Sequence, residues 1–136
     1  MRTYSYKYGD TCRIDISDIE TGYYTIESVL AENKVIGVNN KALYNGKNVD
    51  LRTKTDYNYT KWFIKKIERD IYTIANADNT RLVLDVNGNE KKNKTNIQLY
   101  TFNSTDAQKW IIRKNSDGNY NLIGVGSQKA LDINLF

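Results

Sequence analysis

A step of 48 residues relates three parts of this chain. Tyr24, Tyr72 and Tyr120 are each 48 residues apart, and Thr-Ile, Thr-Ile and Asn-Leu follow them. The same step carries Trp62 onto Trp110. A fixed period of this length is the sequence signature of a repeat architecture. We therefore expect one structural unit repeated three times.

Short runs of alternating apolar and polar residues fill each unit, as in 35–38, 49–51 and 62–64. This period of two is typical of half-buried strands. Between the runs lie turn-forming pairs, namely Asn39-Asn40, Asn45-Gly46, Asn87-Gly88 and Asp117-Gly118. No helical period is evident, so the pattern predicts an all-β protein with four strands in each unit.

The third unit is shorter than the other two. Units 22–69 and 70–117 are full, whereas the unit from 118 ends at Phe136 after two predicted strands. Run backwards, the period places Tyr100 on Tyr4 and Trp110 on Ile14. We therefore predict that residues 1–17 pair beside 118–133 and complete the third repeat, which would remove unpaired strand edges. In the alternative, residues 1–20 are a linker or the tail of a neighbouring domain.

Composition limits the chemistry available to the chain. Its 136 residues suit a single domain, 1–136, and they include no His and one Cys, Cys12. Imidazole general-base catalysis and an intrachain disulfide are therefore excluded, and no motif suggests the carboxylate pair that a glycosidase requires. We predict a protein that is not an enzyme and has neither a metal site nor a cofactor.

Charge and hydropathy limit the partners. The formal net charge of +4 is scattered along the chain, and the strongest basic cluster, Lys91, Lys92 and Lys94, is expected to be a solvated loop. Nucleic acid is therefore not an expected partner. No apolar run approaches the roughly 18 residues of a membrane span, so membrane insertion is not expected either. The first residues contain no apolar signal segment.

Each unit ends in the motif Gln-x-Trp or a relic of it. The motif is intact at 108–110, degenerate at 60–62 and barely recognisable at 12–14. Accompanying strings are Leu84-Asp85-Val86, Asn96-Ile97-Gln98-Leu99-Tyr100 and Ala130-Leu131-Asp132-Ile133. Together they make residues 22–133 resemble the ricin-type (Gln-x-Trp) β-trefoil lectins, in their cysteine-poor, bacterial-like branch. The resemblance implies a six-stranded barrel capped by six hairpin strands, with an inward-pointing core of Trp62, Trp110, Tyr24, Tyr72 and Tyr120.

The resemblance also implies a sugar site in the second unit. Such a site combines an acidic residue, an aromatic platform and amide side chains, because a carboxylate accepts paired hydroxyl hydrogen bonds and an aromatic ring covers the apolar face of a pyranose. The matching residues are Asp85, Gln98, Tyr100 and Gln108. The family Asn that precedes the Gln is Ala107 here, for which Asn103 could substitute. In the alternative, Asp85 only closes its loop by bonding the backbone.

The other two units match this pattern less well. In the third unit Asp132 is kept, and the closed arrangement places Arg2 at the Gln position and Tyr4 at the aromatic position, which gives a weaker second site. In the first unit Gly37, Asp50 and Arg52 replace the three residues, so no sugar site of this kind is expected there.

The function that these observations predict is non-catalytic binding of glycans of the galactose or N-acetylgalactosamine (GalNAc) type. One shallow site should be weak, on the order of 0.1 to 1 mM. Oligomers, or attachment to a larger toxin, haemagglutinin or glycosidase, would then supply avidity. The expected location is secreted or cell-surface. The alternatives are a protein-interaction or inhibitor trefoil with vestigial sugar sites, and a nucleic-acid binder with a steep salt dependence.

Overall fold

The computed structural model describes residues 2–5 and 19–132, with the backbone alone at 2–5 and 132. Within these ranges the protein consists of β-strands, loops and three short 3₁₀ turns at Asn58–Thr60, Asn87–Asn89 and Asp106–Gln108. This part of the chain has no helix long and apolar enough to cross a membrane. The strands are β1 (Arg2–Ser5), β2 (Gly22–Tyr24), β3 (Lys34–Gly37), β4 (Asp50–Thr53), β5 (Trp62–Glu68), β6 (Ile71–Asn76), β7 (Leu82–Val86), β8 (Ile97–Thr101), β9 (Trp110–Lys114), β10 (Tyr120–Gly124) and β11 (Lys129–Asp132).

The strands pair antiparallel, mostly with their sequence neighbours. One sheet of nine strands runs in the order β1-β11-β10-β9-β6-β5-β2, and β7 and β8 branch from β6. β3 and β4 form a separate two-stranded sheet. β6 and β9, the first and last strands of the second repeat, also pair with each other, with Tyr72 opposite Trp110. The predicted four-strand unit is visible in full in the second repeat, as β6, β7, β8 and β9.

The first strand belongs to the third repeat. β1 pairs antiparallel with β11, so that Arg2 lies opposite Asp132 and Tyr4 lies opposite Ala130. The prediction that the first residues pair beside the end of the third unit is confirmed for 2–5, and the linker alternative is wrong for them. The segments 10–16 and 133–136, which the period also assigned to this unit, lie outside the described residues.

The two core tryptophans make equivalent hydrogen bonds in the first and second repeats. Trp62 and Trp110 are fully buried. The indole Nε1 of Trp62 donates a 2.9 Å hydrogen bond to the carbonyl oxygen of Ile36, and that of Trp110 donates a 3.1 Å bond to Leu84. Acceptor and donor are 26 residues apart in both repeats. The period therefore describes how each indole satisfies its polar atom, as well as where the strands lie.

Only one of the three tyrosines that define the period is a core residue. Tyr72 is fully buried, whereas Tyr24 and Tyr120 are 36% and 45% exposed, so their predicted place in the core is wrong. Tyr72 has strand neighbours on both sides, Lys66 and Trp110. Tyr24 and Tyr120 each have one such neighbour in the described chain. The position that the period assigns to the other neighbour falls within 6–18, outside the described residues.

Candidate functional site

The β7–β8 hairpin has an inner and an outer face. Leu84 and Leu99 lie opposite each other and belong to the buried core. Asp85 and Gln98 form the next pair along the hairpin. Because successive side chains alternate between faces, Asp85 and Gln98 lie on the outer face. The strand pairing thus places an acid and an amide side by side, as the resemblance implies.

The carboxylate of Asp85 is held by two amides. Its Oδ1 accepts a 3.2 Å hydrogen bond from Nε2 of Gln98, and its Oδ2 accepts a 2.9 Å bond from Nε2 of Gln108. Asp85 is only 6% exposed. Each carboxylate oxygen can accept about two hydrogen bonds. These two bonds therefore leave one acceptor position on each oxygen unused.

Gln108 positions Asp85 and does not itself reach the surface. Its side chain is fully buried. Besides Asp85, its Nε2 donates to the carbonyl oxygen of Thr101 at 2.9 Å, and its Oε1 accepts from the backbone N–H of Asn103 at 2.8 Å. The expectation that Gln108 contacts sugar directly is therefore corrected, because every polar atom of its amide is already bonded inside the protein. The buried amide fastens the 3₁₀ turn Asp106–Gln108 to β7.

Burial raises the pKa of the Asp85 carboxyl above its usual value of 3.8, and the hydrogen bonds from Gln108 and Gln98 offset this only in part. The physical cause is the loss of water around the charge. A carboxylate that gives up part of its hydration is a strong acceptor for any hydroxyl that reaches it.

Tyr100 and Asn103 lie at the rim of the site. Tyr100 is opposite Val83, two residues along from the Asp85–Gln98 pair, and is 40% exposed. A diagonal neighbour on one sheet face is within reach of an aromatic side chain. The Oδ1 of Asn103 accepts bonds from the N–H and the hydroxyl of Thr105, at 3.1 and 2.6 Å. The side-chain oxygen of Asn103 therefore shapes the turn before the 3₁₀ segment.

An acid at the equivalent position in the first repeat would require the neighbouring backbone to shift. Gly37 lies opposite Asp50, as the period predicts. A Cβ atom at Gly37 would stand 2.8 Å from the carbonyl oxygen of Tyr59, which is closer than atoms tolerate. Asp50 is engaged by Arg52 through bonds of 2.7 and 3.1 Å. The first repeat therefore lacks the acid, and its backbone crowds the place where the side chain would begin.

The third repeat reproduces the backbone register of the second. Asp132 pairs with Arg2, and Ala130 with Tyr4, just as Asp85 pairs with Gln98 and Val83 with Tyr100. The positions predicted for a second site thus come together on one pair of strands. The side chains of Asp132 and Tyr4 lie outside the described part of the structure, and the second site stays a prediction.

One support of the site was not visible in the sequence. Residues 45–49 of the first repeat run along the edge of β8 that does not face β7. The N–H of Gly46 donates to the carbonyl oxygen of Leu99, and the N–H of Leu99 donates to the carbonyl oxygen of Lys47, both at 2.8 Å. Oδ1 of Asn45 accepts from the N–H and the hydroxyl of Thr101. This contact crosses the boundary between repeats, and only the Asn45-Gly46 turn signal pointed to that segment.

Comparisons with known proteins agree with this geometry. The family model described as a ricin-type beta-trefoil lectin domain-like family matches residues 13–100 and 68–135. A search of curated proteins found no match.

Three similar solved structures support the same fold. The designed threefold-symmetric protein ThreeFoil shares 24% identity and a TM-score of 0.76, over 81% of this chain and 77% of that chain. A mosquitocidal holotoxin shares 26% identity and a TM-score of 0.73, over 82% of this chain and 13% of that one. A Polyporus squamosus lectin, bound to a human-type influenza-binding epitope, shares 24% identity and a TM-score of 0.74, over 85% and 40%.

The chain thus spans only a small part of the holotoxin and less than half of the fungal lectin. Likeness in fold to these structures identifies the architecture as a β-trefoil. The family match covers most of the sequence and includes the Asp85 hairpin. It supports carbohydrate binding in general. With its repeats, its two equivalent buried tryptophans and its Gln-x-Trp motif, the chain belongs to the ricin-type β-trefoil lectin domain-like family.

Proposed function

We propose that this protein is a non-catalytic carbohydrate-binding module whose principal site is the outer face of the β7–β8 hairpin. The observation that carries the proposal is the carboxylate of Asp85, which Gln98 and Gln108 hold in one orientation. A rigid acceptor loses little freedom when it binds a ligand. It can therefore select hydroxyl geometry with few contacts.

The chemistry fits a pyranose. The open acceptor positions of Asp85 would take hydrogen bonds from two adjacent hydroxyls. The half-buried amide of Gln98 lies beside them, and the exposed ring of Tyr100 offers an apolar surface for the C–H face of the sugar. Galactose and GalNAc are the proposed ligands, in line with the resemblance of Asp85, Gln98 and Tyr100 to the family pattern.

A weak monovalent site would act best when several are joined. We propose that the domain is a targeting module or subunit of a larger toxin, haemagglutinin or glycosidase, or that it oligomerises, and that it acts outside cells. The likeness to part of a mosquitocidal holotoxin supports this kind of assembly. Linked sites raise the effective affinity without any new contact.

The test is a titration of wild type and Asp85→Asn with galactose, lactose and GalNAc, followed by NMR chemical shifts. Asn is close in shape to Asp, and its oxygen can still accept from Gln108 while Gln98 turns its amide over. We expect the variant to fold and to bind about tenfold more weakly or worse, since a charge-assisted acceptor is lost.

Asp50→Asn is the matched control, because this acid occupies the Gln98 position of the first repeat and is engaged by Arg52. It should leave binding unchanged. Full sugar affinity in a folded Asp85→Asn protein would contradict the proposal.

One alternative is a protein-interaction domain whose sugar sites are vestigial. The small exposure of Asp85 and the closed acid position at Gly37 favour it. In that case wild type would bind nothing on a broad glycan array, and a protein partner would be retained equally by wild type and Asp85→Asn.

A further inference from the structure

A groove lies where the first repeat meets the second, and Asp85 is not among the residues that line it. It has a volume of about 520 Å³ and is open to solvent. The residues that line it are Asn40, Asp56, Tyr57, Asn58, Tyr59 and Asp78. They comprise two carboxylates, two amides and two phenols. The groove is therefore of a size that holds a small ligand, and its walls carry polar groups beside aromatic rings.

The two tyrosines form a stacked platform at one end of the groove. Their ring centroids are 5.8 Å apart and their planes differ by 14°. Tyr59 is half-buried against the core, whereas Tyr57 is 69% exposed. The inner ring thus supports the outer ring, which presents a preordered aromatic face to solvent. Such a face binds the apolar C–H surface of a pyranose at little entropic cost.

The polar residues of the groove are also ordered across the repeat boundary. Nδ2 of Asn58 donates a 2.9 Å hydrogen bond to Oδ1 of Asp78. Asp78 keeps its second oxygen and Asn58 its carbonyl oxygen, so both retain acceptor capacity toward a ligand. Asp56 and Asn40 are exposed on the same walls. Hydroxyl donors are thus met by several acceptors beside one ring.

The fold does not require this set of residues. The 3₁₀ turn Asn58–Thr60 repeats after 48 residues as Asp106–Gln108. At the equivalent positions, Thr105 stands for Tyr57 and Ala107 for Tyr59. The second repeat therefore builds the same turn without aromatic residues. An exposed, stacked tyrosine that the architecture can do without is a candidate for ligand binding.

We propose that this groove is a second carbohydrate site, specific to the boundary between the first and second repeats, which binds a neutral pyranoside against the face of Tyr57. Its two carboxylates and the lack of Lys or Arg among its lining residues disfavour anionic sugars. The site does not use Asp85, so it goes beyond the function proposed above. With the hairpin site, it would make one domain bivalent.

The test uses NMR titration with the methyl glycosides of galactose, glucose, mannose and N-acetylglucosamine, and with sialic acid as the anionic probe. In wild type we expect at least one neutral glycoside to shift the signals of Tyr57 and Asn58, and sialic acid to leave them unchanged. Tyr57→Thr imports the residue of the second repeat and should fold. It should weaken that binding about tenfold.

Asp85→Asn separates the two sites. It should leave the Tyr57 response intact, whereas Tyr57→Thr should leave any response at Gln98 and Tyr100 intact. Loss of the Tyr57 response in Asp85→Asn would show that the two responses report one site and would overturn the proposal. So would unchanged affinity in Tyr57→Thr, or the absence of any Tyr57 response to the four neutral glycosides.

Discussion

At the scale of single residues, Asp85 combines a charge with near-complete burial. Water is replaced by two amide donors, which do not fully restore the lost hydration, and the pKa is raised as a result. Carrying the charge therefore costs free energy in the folded state. Residues with a pKa shifted by burial are often found at binding and catalytic sites.

The raised pKa predicts a pH dependence of stability. Between the usual value of 3.8 and the higher value in the folded protein, the native state binds more protons at Asp85 than the unfolded state. The free energy of unfolding should therefore fall as pH rises through this window, and stay lower above it. Asp85→Asn lacks this contribution.

The measurement is urea unfolding of both proteins from pH 3 to pH 7. The difference in unfolding free energy, variant minus wild type, should grow in favour of the variant as pH rises through the window and then level off. A difference that moves the other way would mean that Gln98 and Gln108 favour the charged form.

At the scale of strands and turns, the backbone conformation of Gly118 makes a prediction possible. Gly118 has a φ of +90°, and no atom outside its neighbours lies within 4 Å of where its Cβ would be. Any cost of adding a side chain there is therefore a backbone cost. Gly22 occupies the same position of the first repeat but lies within β2 without a positive φ.

Gly118→Ala should lower the free energy of unfolding by about 1 kcal/mol, because an L-residue resists this backbone conformation. Gly22→Ala is the matched control and should lose nothing measurable, since the new methyl group meets the Tyr24 ring at 3.7 Å, an ordinary contact. Urea unfolding measures both. Equal losses in the two variants would contradict the assignment of the cost to φ.

The strands could be predicted because the alternation of apolar and polar residues and the 48-residue step can both be read directly from the sequence. Asp85 and Gln98 were chosen as site residues through the resemblance to the lectin family, and in the structure they lie opposite each other. The contact of 45–49 with β8 could not be predicted, because it joins two repeats largely through backbone atoms that every residue carries, with one side chain, Asn45, added. The burial of Gln108 escaped prediction for a similar reason, since its partner Thr101 contributes only its carbonyl oxygen.

At the scale of the whole molecule, the repeat predicted where the chain closes. Tyr4 was assigned to the third repeat by subtraction along the sequence, and β1 lies there. The prediction was wrong for Tyr24 and Tyr120, since equal positions in a repeat need not be equally covered by their neighbours.

The pairing of β1 with β11 can be tested by proline substitution. Alternate backbone amides of an edge strand face the partner strand, so Thr3→Pro and Tyr4→Pro remove one inward and one outward N–H. The inward variant should speed hydrogen exchange of the amides in Lys129–Asp132 by about tenfold or more, as expected for a lost ladder bond. The outward variant should change it less. Unchanged exchange in both would mean that β1 is not paired there in solution.

Because β1 pairs with β11, the strands could keep their places in space even if they followed one another in a different order along the chain. β7 and β8 are joined by residues 87–96, whereas β11 and β1, their counterparts, pair although they lie far apart in the sequence. A linker of that length between β11 and β1, with a cut inside 87–96, would give a circular permutant that keeps every strand pair. We therefore expect the same fold to form when the chain is opened inside 87–96.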